Sequence, residues 1–132
     1  MTKEPGTETA PARFKDLALD ALDHQGLADW WCAALGYVRG PWEPAQETPR
    51  RPRHWPVPIT DPAGEGPLIW LNPVPEPKTL KNRLHLDVYG DVAALLDLGA
   101  TRLSAPDPEN GVTWHVLADP EGNEFCVFTP KA

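Results

Sequence analysis

The chain has little cysteine: two residues, Cys32 and Cys126, among 132. They fall in a predicted helix and a predicted strand with no C-x-x-C spacing, which excludes a disulfide framework and a structural zinc site. No apolar run approaches the ~20 residues that a bilayer span needs, so no membrane partner is expected. The first dozen residues are polar and lack the hydrophobic core of a signal peptide. Residues 1–12 read as a disordered tail, and the expected compartment is the cytoplasm. Cations are scarce too: 12 Lys and Arg stand against 19 Asp and Glu, a net charge of −7. Phosphate binding needs clustered Lys and Arg, so a nucleic-acid partner is excluded. The one basic knot, Arg50-Arg51-Pro52-Arg53-His54, lies in a proline-rich stretch. It reads as a solvated loop that could still guide an anionic ligand.

Proline and tryptophan are abundant instead, at 17 and 6 residues. The prolines crowd between Pro41 and Pro77, which predicts ordered loops and edge strands there. Long loops of this kind often line binding sites. The length suits one domain with one sizeable core.

The chain reads as one unit used twice. Leu17-Ala18-Leu19-Asp20 matches Leu84-His85-Leu86-Asp87, each with the period-two alternation of a half-buried strand. Each is followed by a second Asp, Asp23 or Asp91, fit to cap a helix. Apolar residues then fall at helical spacing: Leu27, Trp30, Trp31, Ala34 and Leu35, then Val92, Leu95 and Leu96. Both helices end in Leu-Gly, with Gly36 and Gly99 suited to the left-handed closing position. Leu68-Ile69-Trp70-Leu71-Asn72-Pro73 matches Phe125-Cys126-Val127-Phe128-Thr129-Pro130.

The spacing predicts strands near 14–20, 37–43, 54–60 and 67–71 around a helix near 25–35. It predicts strands near 83–89, 100–104, 112–118 and 124–128 around a helix near 92–98. Asp119-Pro120-Glu121-Gly122-Asn123 is a turn, since Pro sets the first bend and Gly or Asn accepts positive φ. With this turn and the duplication, the chain resembles the vicinal oxygen chelate superfamily, which includes glyoxalase I, bleomycin-resistance proteins and extradiol dioxygenases. Lys81-Asn82-Arg83-Leu84-His85-Leu86-Asp87 looks like the glyoxalase-like proteins common in actinobacteria. The resemblance covers residues 14 to 130. It implies an α+β fold: two βαβββ modules forming a cupped mixed sheet with helices on the outer face. The domain spans 13–130, with halves 13–72 and 82–130 and a linker at 73–81.

Alternation assigns faces. Leu17, Leu19, Leu84 and Leu86 pack on helices, so Asp16, Ala18, Asp20, Arg83, His85 and Asp87 face the cup. Phe125 and Val127 take the helix side, leaving Glu124, Cys126 and Phe128 in the cup; by the repeat, Ile69 and Leu71 join them. The superfamily holds its metal with a His or Gln from the first strand of each half and a Glu from the last. Aligned on Asp20 and Asp87, those positions carry Asp16, Arg83 and Cys126. Arg offers no lone pair, so on this register no metal or other cofactor is expected, and Arg83 grips an anionic group instead. A register two residues away makes a divalent metal possible, with His85, Glu124, Asp87 and Cys126 as donors. Otherwise His85 is an inward histidine bonded to Asp87 or Asp20, or a general base. Arg83 could also lower the Cys126 pKa.

His115 shares a face with Thr113 and Leu117, and the sequence leaves open whether that face is the cup. His24 and His54 read as surface residues. Trp30, Trp31 and Trp70 read as core, and Cys32 as helix filler. Trp42, Trp55 and Trp114 lie near the cup, where an indole could stack on a flat ligand. The function expected is the binding of an anionic or carbonyl-bearing organic molecule at a degenerate metal site. Two alternatives stay open: a metal-dependent lyase, isomerase or dioxygenase of the superfamily, and a regulatory or scaffold domain with a vestigial cup. A homodimer is expected, because half-barrels leave sheet edges to cover.

Overall fold

A computed structural model describes residues 10–40 and 52–129. The first half contains β1 (Leu17–Ala21), α1 (His24–Leu35), β2 (Val38–Arg39), β3 (Val57–Thr60) and β4 (Ile69–Pro73). The second contains β5 (Leu86–Tyr89), α2 (Val92–Leu98), β6 (Thr101–Ser104), β7 (His115–Ala118) and β8 (Glu124–Phe128). Each half forms a four-stranded sheet, in the orders β1-β4-β3-β2 and β5-β8-β7-β6. In both, the first strand runs parallel to the last and the other pairs are antiparallel. This is the expected α+β fold of two βαβββ modules. Trp42 and the Arg50–Arg51 part of the basic knot lie outside the described residues, as do residues 1–9 of the expected tail. Among the described residues no helix is long and apolar enough to cross a membrane.

Local chemistry sets the elements. The Asp23 carboxylate accepts the Gly26 N–H at 2.9 Å, and Asp91 accepts Ala94 N–H at 3.3 Å, each satisfying an orphan amide at a helix start. Gly36 closes α1 at φ 74°, where a side chain would be strained. Two turns share one design. Gly64 N–H bonds to Asp61 C=O, and Gly122 N–H bonds to Asp119 C=O, both at 2.9 Å. Asp61-Pro62-x-Gly64 and Asp119-Pro120-x-Gly122 are therefore a fourth matched segment, one that the sequence comparison did not pair.

The core lies between α1 and the two sheets. Leu27, Ala28 and Trp31 of α1 are buried with Val57, Ile59, Ile69 and Leu71 of the first sheet and Leu117, Phe125 and Val127 of the second. Burying each large apolar side chain stabilises the fold by roughly 1.5–3 kcal/mol. Trp31 packs edge-on against Phe125, with ring centroids 5.0 Å apart, so the first helix is anchored on the second module.

Five residues lie elsewhere than the sequence predicts. Ile69 and Leu71 do not face the cup. They lie opposite Leu17 and Leu19 in the parallel ladder and share their helix-side face. Trp70 lies opposite Ala18 instead, on the cup side, and is half-buried rather than core. The matching Asn-Pro and Thr-Pro ends paired Ile69 with Cys126, whereas the ladders make Asn72 the counterpart of Cys126, an odd shift that flips every side chain. Leu84 does not pack on a helix: it precedes β5 and is 85% exposed. His24 is not a surface residue. It is buried at the start of α1, its Nε2 2.9 Å from the Trp55 carbonyl.

The turn after β7 ties the modules together. The buried Asp119 carboxylate accepts the Trp31 indole N–H at 2.9 Å, the Glu121 and Asn123 amides, and the Asn123 side-chain amide. The Glu121 carboxylate accepts the Leu22 and Asp23 amides at 2.8 and 2.7 Å. Asp119→Ala leaves several buried donors without an acceptor, so it is expected to cost about 3 kcal/mol in urea unfolding. Glu121→Ala, whose amides can turn to water, is expected to cost about 1 kcal/mol. Equal losses would contradict the assignment of Asp119 as the central acceptor.

Candidate functional site

Three donor atoms converge on the cup face of the second module. Asp87 and Cys126 are direct partners in the parallel β5–β8 ladder, so their side chains stand side by side. His85 lies just ahead of β5. Its Nδ1 is 3.1 Å from Asp87 Oδ1 and 3.8 Å from Cys126 Sγ. The carboxylate nearest His85 is thus Asp87, at ion-pair distance when the imidazole is protonated. Cys126 is buried, whereas His85 and Asp87 are exposed. Burial pushes the Cys126 thiol pKa up, and the Asp87 charge and hydrogen bond push the same way. The cation that pulls it down is Lys81, not Arg83. Cys126 is therefore a protonated thiol rather than a ready nucleophile.

Arg83 is exposed and pairs with no other described residue. Asp16 is engaged elsewhere: its Oδ2 accepts Lys15 Nζ at 2.6 Å and the Trp70 indole N–H at 3.0 Å. The Lys15 bond, with that of Trp70, holds the Asp16 pKa below its usual range against some desolvation. Asp20 is exposed opposite Asn72 in the parallel ladder, as Asp87 is opposite Cys126. The two aspartates hence share a face and a ladder type, one per module.

The superfamily resemblance implies a divalent metal at Asp16, Arg83 and Cys126, and these residues do not fit one. Arg83 has no lone pair and a fixed positive charge. The Asp16 carboxylate is already occupied by Lys15 and Trp70.

A crevice of about 170 Å³ opens beside His85, between β1 and the start of β5. Its walls are largely apolar, with Leu17, Leu19 and Leu86 among them, and its polar groups include Asn82, His85 and Glu124. Glu124 is a brace rather than a free ligand. Its carboxylate accepts Lys78 Nζ at 2.9 Å and the Asn82 N–H at 3.1 Å, pinning the linker to β8. Of the alternative donor set, His85, Asp87 and Cys126 have ligand atoms within 4.8 Å of one another; Glu124 lines the same crevice as His85.

The cup face also carries an aromatic strip. Trp114 lies on Phe128 with centroids 5.5 Å apart, and Tyr89 is the ladder partner of Phe128. Sequence reasoning singled out Trp114 but missed Tyr89, whose parity with Asp87 was the available signal. His115 sits on the opposite face, across from Val127, with Nδ1 2.8 Å from Arg102 Nη1. Trp55 is held at the start of α1 through His24, away from the residues that line the crevice.

Glu124 makes a pH prediction. Burial raises its pKa, but the Lys78 and Asn82 bonds outweigh that and hold it below the usual 4.5 of a glutamate. A carboxylate with a depressed folded pKa stabilises fully above its unfolded pKa and loses that contribution as pH falls through the folded value. Glu124→Gln is therefore expected to destabilise the protein by about 1–2 kcal/mol at pH 7. The deficit should shrink progressively below pH 4.5. Chemical denaturation across that range measures it, and a deficit independent of pH would contradict the brace.

The geometry can be set beside known proteins. A family model described as a glyoxalase-like domain matches residues 16–128. No curated protein matches the chain. Solved structures share the fold at low identity. A glyoxalase/dioxygenase from Nostoc punctiforme aligns at a TM-score of 0.65 and 18% identity, over 100% of this chain and 98% of that one. A hypothetical protein from S. aureus aligns at 0.61 and 14%, over 92% and 100%. A glyoxalase/bleomycin resistance protein/dioxygenase family enzyme from Burkholderia phytofirmans PsJN aligns at 0.59 and 18%, over 84% and 93%. Two βαβββ modules and a family match over most of the length lead to one conclusion: the chain belongs to the glyoxalase-like family of the vicinal oxygen chelate superfamily.

Proposed function

We propose that this protein binds a small organic molecule, carbonyl-bearing or anionic, in the crevice beside His85, without the superfamily's two-module metal. The observation that carries the reading is the crevice itself. Apolar walls with a few polar groups, Asn82 and His85 among them, suit a ligand that is mostly hydrocarbon with one or two acceptors. Arg83 and Lys81 flank these residues in sequence and supply positive charge for a carboxylate. Binding without turnover agrees with the poor metal set at Asp16, Arg83 and Cys126.

A homodimer is part of the proposal. The edge strands β1 and β5 have no second hydrogen-bonded neighbour within the described chain, and Phe14, Leu80, Leu84 and Tyr89 are exposed. Light scattering at micromolar concentration is expected to give twice the chain mass; the monomer mass would contradict this.

Thermal melting with acetophenone and benzoate as probes tests the crevice. Each is expected to raise Tm, because a ligand that binds only the folded state stabilises it. Ala18→Trp, at an exposed position on the crevice wall, is expected to abolish both shifts while leaving the unliganded fold intact. Arg83→Met is expected to weaken the benzoate shift alone. If neither probe shifts Tm, or if Ala18→Trp leaves the shifts unchanged, the crevice is not the binding site.

A further inference from the structure

We infer that a second cavity, beneath the linker that joins the modules, is a binding site for a small organic cation, a primary alkylammonium ion. This cavity holds about 230 Å³ between the end of β1 and the linker. It uses none of His85, Asp87 and Cys126. Leu19, Asn82 and Asn123 line both this cavity and the crevice, and so stand as the partition between them. The inference does not rest on the ligand proposed for the crevice.

The roof of the cavity is fixed at both ends. Val74 N–H bonds to Ala21 C=O at 3.0 Å, which ties the start of the linker to β1. Lys78 Nζ and Asn82 N–H bond to the Glu124 carboxylate, which ties its far end to β8. A ligand therefore meets a formed space and does not have to order one. Two acceptors in the walls are unfilled. Asn123 Nδ2 donates to both Asp119 oxygens, and Asn82 Nδ2 donates to Glu124 C=O at 3.3 Å. These bonds fix which way each amide points. They leave both Oδ1 atoms without a hydrogen-bond partner among the described residues. Asn123 is only 8% exposed, and a buried amide oxygen left unpaired calls for a donor.

Charge selects a cationic donor. Asp20, Glu76 and Glu121 line the cavity against one ammonium, that of Lys78, which is already spent on Glu124. Asp20 and Glu76 are exposed, and no described residue forms a hydrogen bond or ion pair with either carboxylate. A bare metal ion does not suit this arrangement. Among the described residues, only His85, Asp87 and Cys126 gather three titratable donors within 4.8 Å, so the carboxylates of this cavity do not meet at one point. An organic cation spans such a space instead. An ammonium brings three N–H donors and no acceptor, which matches walls that offer amide and carboxylate oxygens. Leu19, Ala21, Val74 and Leu80 supply apolar surface for a short hydrocarbon tail.

Titration of the full chain with n-butylammonium chloride, followed at the carboxamide N–H signals of Asn82 and Asn123 by heteronuclear NMR, tests the inference. Both sets of signals are expected to shift and to saturate in the millimolar range. Tetramethylammonium, which has no N–H to donate, is expected to bind at least about tenfold more weakly. n-Butanol and butyrate, which share the tail without the positive charge, should cause no saturable shift. Asp20→Asn combined with Glu76→Gln, at two exposed positions, is expected to weaken butylammonium binding at least about fivefold, and circular dichroism confirms the fold. Ala18→Trp, which fills the crevice and not this cavity, should leave that affinity within about twofold. The benzoate and acetophenone measurements bear on the crevice alone, so either site can fail without the other. No saturable shift, equal binding of butanol or tetramethylammonium, unchanged affinity in the double variant, or loss of binding in Ala18→Trp would overturn the site.

Discussion

The two modules are held in one relation by a carboxylate that has left water. Asp119 sits at the end of β7, 2% exposed, and its oxygens are filled by the Trp31 indole N–H and by the amides of its own turn. Trp31 belongs to the helix of the other half. A buried acceptor with several donors is stable only when every donor arrives together, so the turn, the helix and the relation between them form as a unit. Glu121 adds a second link from the same turn to the first amides of α1. The crevice lies beneath this joint, with Trp31, Asn123 and Phe125 all in its lining. What the crevice can hold thus depends on how α1 is hung from the second module.

The duplication is symmetric in topology and unequal in chemistry. Asp61 builds the same turn as Asp119, but its carboxylate is spent on the Ala63, Glu65 and Gly66 amides. No indole from α2 reaches it, because α2 contains no tryptophan, and Ala63 stands where the second turn has Glu121. The first module uses its cup face structurally, with Trp70 tied to Asp16 and Asn72 opposite Asp20. The second keeps its titratable groups, His85, Asp87 and Cys126, in contact with one another. The carboxylate Asp16 of the first module is therefore tied into its own sheet, whereas the second module groups three titratable side chains.

Much of this was legible in the sequence because it rests on local rules. Helix caps at Asp23 and Asp91, closing glycines and the Asp-Pro-Glu-Gly-Asn turn follow from short-range hydrogen bonding and φ preferences. So did the face assignment of β5 and β8, where one buried side sets the parity. What failed was register. The Pro73 and Pro130 ends suggested an alignment that placed Ile69 and Leu71 in the cup, whereas ladder partners, which no single strand reveals, put Trp70 there. Leu84 looked buried by alternation, but β5 begins two residues later. Glu124 looked like a free acid, and only the fold of the linker brings Lys78 and Asn82 onto it. Burial of His24 was invisible for the same reason: its partner Trp55 is distant in sequence.

These failures share a cause that bears on the site. A residue type states what chemistry is available, while long-range contacts decide which groups are already consumed. Asp16, Glu124 and Asp119 are carboxylates of one kind in the sequence, and each is filled by partners from elsewhere in the chain. Asp87 differs because its partners, His85 and Cys126, are themselves metal-ligating groups. The thiol is kept protonated by burial and by the Asp87 charge, so the three side chains form a hydrogen-bonding cluster of their own rather than being consumed by distant partners.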